Sequence, residues 1–160
     1  MKLKFCGLCR MEDLEALRET PVDYLGFVFA ESPRKVTPEM VLAFQKEYRG
    51  EGKFVGVFKD QPLEEVVAIA KNAGLDVIQL HGSETQEYLE LLRERTGLEL
   101  WKALGATPEN LATAGTWPVE ALIIDHPSGG GGGQTLDWSM VNQYKESFGR
   151  PFFLAGGLCL

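Results

Sequence analysis

Two cysteines near the start of the chain offer the first residues capable of chemistry. Cys6 and Cys9 form the sequence Cys-Gly-Leu-Cys. A deprotonated thiol can act as a base, a nucleophile or a metal ligand. Zinc would need His81 and His126 as further ligands, but these lie too far apart in sequence to form the usual second close pair. A redox pair would need a thioredoxin-like helix start. The residues alone leave a reactive thiol at Cys6, a buried core cysteine and half of a zinc site as open readings.

Four polar residues stand where short apolar runs end. Asp125 follows Ala-Leu-Ile-Ile, and a carboxylate in such a place is costly to bury unless it is paired or used. Gln79 and His81 occur in Val-Ile-Gln-Leu-His-Gly, where strand alternation places both on one side. Arg34 occurs in Glu-Ser-Pro-Arg-Lys-Val, and arginine suits carboxylate or phosphate. A helix-capping aspartate, a core histidine and a solvated arginine are the structural alternatives.

Two glycine-rich stretches follow later apolar runs. Five consecutive glycines, Gly129–Gly133, lie between an apolar run and a helical segment. This pattern predicts a flexible lid, in which we include Gly130, Gly131, Gly132 and Gly133. Gly156 and Gly157 follow Phe-Phe-Leu-Ala. Glycines allow backbone N–H groups to approach an anion closely, so this pair predicts a phosphate-binding loop.

Seven short apolar runs alternate with helical segments along the chain. Runs of this kind are typical of parallel strands buried on both faces. The predicted strands are Leu3–Cys6, Tyr24–Phe29, Phe54–Phe58, Val77–Leu80, Leu98–Ala103, Ala121–Ile124 and Phe152–Ala155. The predicted helices are Met11–Glu19, Met40–Tyr48, Leu63–Asn72, Gln86–Arg95 and Leu136–Lys145. Thr37-Pro38 and Thr107-Pro108 are typical helix starts, Ser83 to Gln86 fits a capping box, and Gly74 is a helix stop.

This alternation predicts an α/β fold, and its even spacing favours a (β/α)8 barrel over a doubly wound sheet. Only about seven strands are present. We therefore expect residues 1–160 to form a single barrel domain that lacks the last β/α unit. Chemistry in such barrels lies at the carboxyl ends of the strands, where Cys6, His81 and Asp125 fall.

Composition excludes several classes of function. The net charge of −7, without a basic cluster, argues against nucleic-acid binding. No apolar run approaches the ~18 residues of a membrane span. The start of the chain does not resemble a signal peptide, and three cysteines do not suggest a disulfide framework. These features predict a cytoplasmic protein with no membrane partner.

Together these stretches resemble the phosphoribosylanthranilate isomerase family of tryptophan biosynthesis. The matching pieces run from Lys4 to Leu158: KFCGLCR, DYLGFVFAESPRKV, VGVF, DVIQLHG, WKA, LIIDH, GGGGQTLDW and FLAGGL. The resemblance implies a barrel enzyme without cofactor that performs an Amadori rearrangement of a phosphosugar-anthranilate substrate.

The same resemblance implies the roles of individual residues. Asp125 is the catalytic acid that opens the sugar ring, and Cys6 is the catalytic base that takes the C2′ proton. Arg34 holds the anthranilate carboxylate, Gln79 and His81 contact the substrate, and the loop of Gly156 and Gly157 holds the phosphate. The CxxC pattern is then accidental, and no metal is implied.

The sequence departs from the family in two ways. Gly132 stands where relatives commonly have threonine, and the family continues with a further helix, strand and closing helix. The expectations are therefore an active isomerase whose chain continues, or an inactive or complementation-dependent fragment of that enzyme. A metal-binding module using Cys6 and Cys9 is a third alternative. A homo-oligomer or a fusion to a pathway enzyme is consistent with any of them.

Overall fold

The computed structural model describes residues 1–17, 20–127 and 138–156. Its centre is one sheet of seven parallel strands, in which each strand pairs with the next along the chain. The strands are β1 (Lys4–Cys6), β2 (Tyr24–Val28), β3 (Lys53–Phe58), β4 (Val77–Leu80), β5 (Glu99–Gly105), β6 (Ala121–Asp125) and β7 (Phe152–Leu154). The prediction of seven strands from seven apolar runs is confirmed. Because all are parallel, their carboxyl ends share one edge of the sheet.

Among the described residues, six α-helices connect the strands: α1 (Asp13–Leu17), α2 (Pro38–Glu47), α3 (Leu63–Asn72), α4 (Gln86–Thr96), α5 (Pro108–Thr113) and α6 (Trp138–Tyr144). Short 3₁₀ turns follow the last two, at Ala114–Thr116 and Lys145–Phe148. The side chains of Thr37 and Thr107 cap α2 and α5 by accepting backbone N–H bonds, as the sequence predicts. Gly74 follows α3 in the left-handed conformation that ends a helix.

The predicted capping box at Ser83 is wrong. Thr85 is the N-cap of α4, and its side chain accepts the N–H of Tyr88. Ser83 instead donates to Asp60 from its hydroxyl and its backbone N–H. Glu84 is drawn into a buried ion pair with Lys102. Because Ser83 and Glu84 make these tertiary bonds, Thr85 supplies the cap, and α4 begins at Gln86, where the helix is predicted to begin.

Side chains on the two faces of the sheet form separate apolar layers. The inner layer, on the concave side of the curled sheet, contains Tyr24, Val55, Val77, Trp101 and Ile123, with Phe153 packed against them. The outer layer lies between the sheet and the helices and contains most of the other buried apolar residues. Strand alternation therefore decides which side chains face inward, and it places Lys4, Cys6, Gln79 and Asp125 on the inner side.

Within the described residues, β1 and β7 are the two edges of the sheet and do not pair with each other. Phe5 and Leu154 on these edges are exposed. The structure is thus a curled, open arrangement of seven barrel strands. Among the described residues, no helix is long and apolar enough to cross a membrane.

Candidate active site

Cys6 and Asp125 end β1 and β6, and both lie on the inner side of the sheet. Cys6 pairs in register with Gly26 of β2, and Asp125 pairs with Gly105 of β5. Their strands are parallel, so both side chains emerge at the same carboxyl edge. The thiol of Cys6 is exposed, whereas Asp125 is buried. The sequence places both at strand ends, and the structure brings both to one concave surface.

Glycine at position 26 makes room for two side chains of β1. A Cβ at Gly26 would lie 2.8 Å from the Sγ of Cys6 and 3.1 Å from the Nζ of Lys4. The thiol and the ammonium therefore share the space that a larger residue on β2 would occupy. Lys4 and Cys6 are two positions apart on one strand, which is the spacing that puts both on the same face.

Arg34 lies beside the cysteine across Gly7. A Cβ at Gly7 would lie only 2.6 Å from Nη1 of Arg34, and Gly7 has a φ of +85°. Glycine is needed here for both reasons, because it accepts the left-handed backbone and leaves space for the guanidinium. The backbone N–H of Arg34 donates to the hydroxyl of Ser32, and this bond stabilises the loop after β2. The guanidinium of Arg34 thus lies next to Gly7, the residue that follows Cys6.

The two oxygens of Asp125 have different surroundings. Oδ1 accepts the backbone N–H of His126 at 2.7 Å. A Cβ at Gly156 would overlap the same oxygen, so the end of β7 approaches it closely. Oδ2 lies 3.5 Å from Nε2 of His81. Oδ1 is thus engaged by the backbone, which leaves Oδ2 as the oxygen available for proton transfer.

His81 is neutral in this environment at neutral pH. Burial lowers the pKa of its imidazole, the charge of Asp125 opposes this effect, and the charges of Lys4, Lys59 and Lys102 lower the pKa further. Three lysines therefore lie near the end of β4, and one of them, Lys102, is paired with Glu84. An anionic ligand would complement the charges of Lys4 and Lys59.

Gln79 lies deeper than His81 on the same face of β4, as predicted. It is 3% exposed, and its Oε1 accepts a hydrogen bond from Nζ of Lys4 at 2.8 Å. The amide therefore holds a charged residue of β1 in place. Its predicted contact with substrate stays a prediction.

A buried ion pair fixes the loop that carries His81. Nζ of Lys102 lies 2.7 Å from Oε2 of Glu84 and also donates to the carbonyl of Gly82 at 2.6 Å. Glu84 accepts the backbone N–H groups of Gly82 and Asp60. Sequence analysis missed this pair, although a lysine inside the apolar run Leu-Trp-Lys-Ala-Leu is a visible signal.

Two cavities within the described residues bear on the location of the site. The one at the carboxyl edge measures about 460 Å³, and His81, Asp125, His126 and Lys59 are among its lining residues. A larger cavity of about 1100 Å³ lies near the amino-terminal ends of β1 to β3 and contains none of the predicted site residues. Parallel-barrel chemistry is found at the carboxyl edge, so we assign the smaller cavity to the part of the site that contains His81 and Asp125. Cys6 and Arg34 are not among its lining residues.

Some predicted site residues lie outside the described residues. They are Gly157 of the phosphate loop and Gly130, Gly131, Gly132 and Gly133 of the lid. Cys9 is described, and its half-buried side chain packs against the outer layer, away from the face of Cys6. Among the described residues, no three His, Cys, Asp or Glu side chains come together to hold a metal ion. The alternative of a metal-binding module therefore lacks a ligand set there.

The curled parallel sheet, with polar groups at its carboxyl edge, is the architecture of a barrel-type enzyme. The sequence model described as N-(5′-phosphoribosyl)anthranilate (PRA) isomerase matches residues 3–159. The isomerase of Bacillus subtilis is 40% identical over 162 residues, covering 98% of this chain and 75% of its own length. The chain therefore belongs to the N-(5′-phosphoribosyl)anthranilate isomerase family.

Solved structures agree with this assignment. The isomerase of Thermotoga maritima superposes with a TM-score of 0.87 at 31% identity, over 99% of this chain and 78% of that one. An isomerase in complex with reduced 1-(o-carboxyphenylamino)-1-deoxyribulose 5-phosphate superposes with a TM-score of 0.84 at 29% identity, over 99% and 76%. The chain spans about three quarters of the length of these relatives.

Proposed function

We propose that this chain isomerises N-(5′-phosphoribosyl)anthranilate by general acid and base catalysis, in tryptophan biosynthesis. The reaction is an Amadori rearrangement that converts the aminoaldose into 1-(2-carboxyphenylamino)-1-deoxyribulose 5-phosphate. The observation that carries the proposal is the shared position of Cys6 and Asp125, which end β1 and β6 on the inner side of one edge. A thiol and a carboxyl on the same concave surface can act on two atoms of one sugar.

In the first step, Asp125 is the general acid. The proton on Oδ2 passes to the furanose ring oxygen while the C1′–O bond breaks, and the anthranilate nitrogen supplies the electron pair that forms the C1′=N bond. The product is an open-chain, protonated Schiff base. Oδ1 remains bonded to the N–H of His126, which keeps the carboxyl oriented throughout.

In the second step, the thiolate of Cys6 is the general base. It takes the proton from C2′, the C–H electron pair forms a C1′=C2′ bond, and the C=N electrons return to nitrogen. The resulting enolamine tautomerises to the ketone. The exposed thiol at the end of β1 is open to a substrate that enters from the carboxyl edge.

The remaining predicted residues bind the two anionic groups of the substrate. Arg34 pairs with the anthranilate carboxylate, since its guanidinium lies beside the cysteine loop. Gly156 and Gly157 hold the phosphate, and the positive φ of Gly156 suits a backbone turned toward an anion. Lys59 lines the cavity that contains His81 and Asp125, and it adds a positive charge that the sequence analysis did not anticipate. His81 contacts the substrate as a neutral group, and Gly130 to Gly133 form the lid.

The proposal extends to the organisation of the protein. We place the reaction in the cytoplasm, in a single domain comprising residues 1–160, and we retain a homo-oligomer or fusion to a pathway enzyme as predictions. Light scattering coupled to gel filtration tests the assembly. A mass of one chain would exclude the homo-oligomer.

Turnover tests the function directly. The substrate is generated fresh from anthranilate and phosphoribosyl pyrophosphate, and its conversion is followed through anthranilate fluorescence. The account predicts conversion by the native chain and none by a heat-denatured sample. Binding of reduced product analogue without any conversion would favour the alternative of a complementation-dependent fragment. Neither binding nor conversion would overturn the proposal.

A further inference from the structure

Lys4 is a charged residue on the inner face of the sheet to which the two catalytic steps assign no role. Its Nζ donates to the buried amide of Gln79 at 2.8 Å, across the sheet from β1 to β4. The same ammonium lies 3.1 Å from the point at which Gly26 would carry a Cβ, and the Sγ of Cys6 lies 2.8 Å from that point. The two atoms are therefore within the ~4–6 Å over which a neighbouring charge alters ionisation.

We propose that Lys4 is a positioning residue that, anchored by Gln79, stabilises the thiolate form of Cys6 at the moment when it accepts the C2′ proton. This inference rests on the proposed function for its role in turnover, but the thiolate itself can be measured without substrate. A lysine ammonium carries a full positive charge at neutral pH. Its attraction to a thiolate is absent once sulfur holds the proton, so the charge selectively favours the basic form.

The anchor explains why a flexible lysine can serve this purpose. Free lysine side chains lose considerable conformational entropy when they are held in one place. Gln79 is 3% exposed and offers its Oε1 as a fixed acceptor, while Gly26 leaves the path from β1 open. The ammonium is thus directed toward the centre of the sheet rather than into solvent.

Other charged groups face the same space. Arg34 approaches from the loop after β2, His81 from the end of β4 and Asp125 from the end of β6. Arg34 is exposed and is assigned to the substrate carboxylate, so its charge is better screened by water. The charge of Lys4 also reaches His81, where it lowers the imidazole pKa together with the larger effect of burial.

Alkylation of Cys6 by iodoacetamide tests the proposal without turnover. The rate is followed by peptide mass spectrometry, which separates Cys6 from the other two cysteines. Lys4→Met removes the charge and keeps the length of the side chain. We expect it to slow alkylation by roughly tenfold at about pH 6.5, and to leave the rate unchanged at about pH 9.5, where most thiol is ionised in either protein. Lys4→Arg restores the fast rate at low pH.

Lys2→Met is the matched control, because it removes one lysine from the same segment and keeps the lysine that lies beside the Cys6 thiol. It should alkylate at the wild-type rate at both pH values. A wild-type rate for Lys4→Met at the lower pH would overturn the proposal, and so would equal slowing at both pH values, which indicates altered access only. If Lys4→Met does not fold, Lys4→Gln supplies the same comparison. Loss of turnover with unchanged low-pH alkylation also counts against it.

Discussion

His81 and Asp125 meet at the carboxyl edge of the sheet, with Nε2 of the imidazole 3.5 Å from Oδ2 of the carboxyl. Burial lowers the pKa of His81, so the imidazole is neutral at neutral pH. The contact therefore joins an uncharged imidazole to the carboxyl that we assign as the catalytic acid, at the oxygen that is not bonded to the His126 N–H.

Replacing Asp125 with asparagine tests this role. Asp125→Asn keeps an oxygen that can accept the His126 N–H but removes the transferable proton. We expect turnover to fall by roughly 10²- to 10⁴-fold, the usual contribution of a general acid. Steady-state kinetics measures the loss, and urea unfolding verifies that the fold persists. Turnover close to that of the native chain would exclude Asp125 as the acid.

Stability should depend on pH through His81. Its pKa in the folded protein is lowered, whereas the unfolded chain binds a proton near pH ~6.5. Below that pH the unfolded state therefore gains protons that the folded state does not, and stability falls as the pH decreases toward the folded pKa. Above about pH 6.5, His81 is neutral in both the folded and the unfolded state, and its protonation no longer reduces stability.

Urea unfolding of the native chain and of His81→Gln at several pH values measures this effect. Between about pH 7 and pH 5, the free energy of unfolding of the native chain should fall relative to that of His81→Gln. A difference that is independent of pH would mean that His81 titrates alike in the folded and unfolded states.

The ion pair of Lys102 and Glu84 should stabilise the loop that carries His81. Both side chains are almost fully buried, at 3% and 2% exposure. Lys102→Met leaves a buried carboxylate unpaired, and we expect a loss of ~3–5 kcal/mol in the free energy of unfolding. The double variant with Glu84→Gln should lose less than Lys102→Met alone, because glutamine keeps an acceptor oxygen for the backbone N–H groups but leaves no isolated charge. A double-mutant cycle in urea measures the coupling, and additive losses would contradict it.

Gly156 should be required for activity more than for folding. Gly156→Ala must accept a φ of +78° and would also overlap the Asp125 carboxyl. Gly149 has a φ of +62° with nothing within 4 Å of its Cβ position, so Gly149→Ala is a matched control. Both variants should lose ~1–2 kcal/mol of stability through backbone strain, but only Gly156→Ala should lose most of its turnover. Equal activities of Gly156→Ala and Gly149→Ala would indicate that Gly156 is not part of the site.

Local patterns in the sequence were sufficient to predict much of this structure. The seven apolar runs become the seven strands, α3 has the predicted bounds, and threonine–proline pairs start α2 and α5. The inward direction of Gln79 follows from strand alternation alone. Helix α1, by contrast, begins at Asp13 rather than at Met11.

Contacts between distant segments were not predictable in the same way. Lys102 and Glu84 pair across two elements, and Ser83 donates to Asp60, so the predicted capping box does not form and Thr85 caps α4. The bond from Lys4 to Gln79 joins β1 to β4 and depends on the space left by Gly26. Such contacts depend on sheet register and curvature, which no single stretch of sequence contains.

The most direct test of the account is the turnover of Cys6→Ser with freshly generated phosphoribosylanthranilate, measured beside the native chain. Serine preserves the size and position of the side chain but is a far weaker acid, so it does not supply a thiolate-like base at neutral pH. The account predicts a fall in kcat of at least about a hundredfold, with an unchanged circular dichroism spectrum and an unchanged urea midpoint. Near-native turnover by a folded Cys6→Ser chain would contradict the assignment of Cys6 as the base.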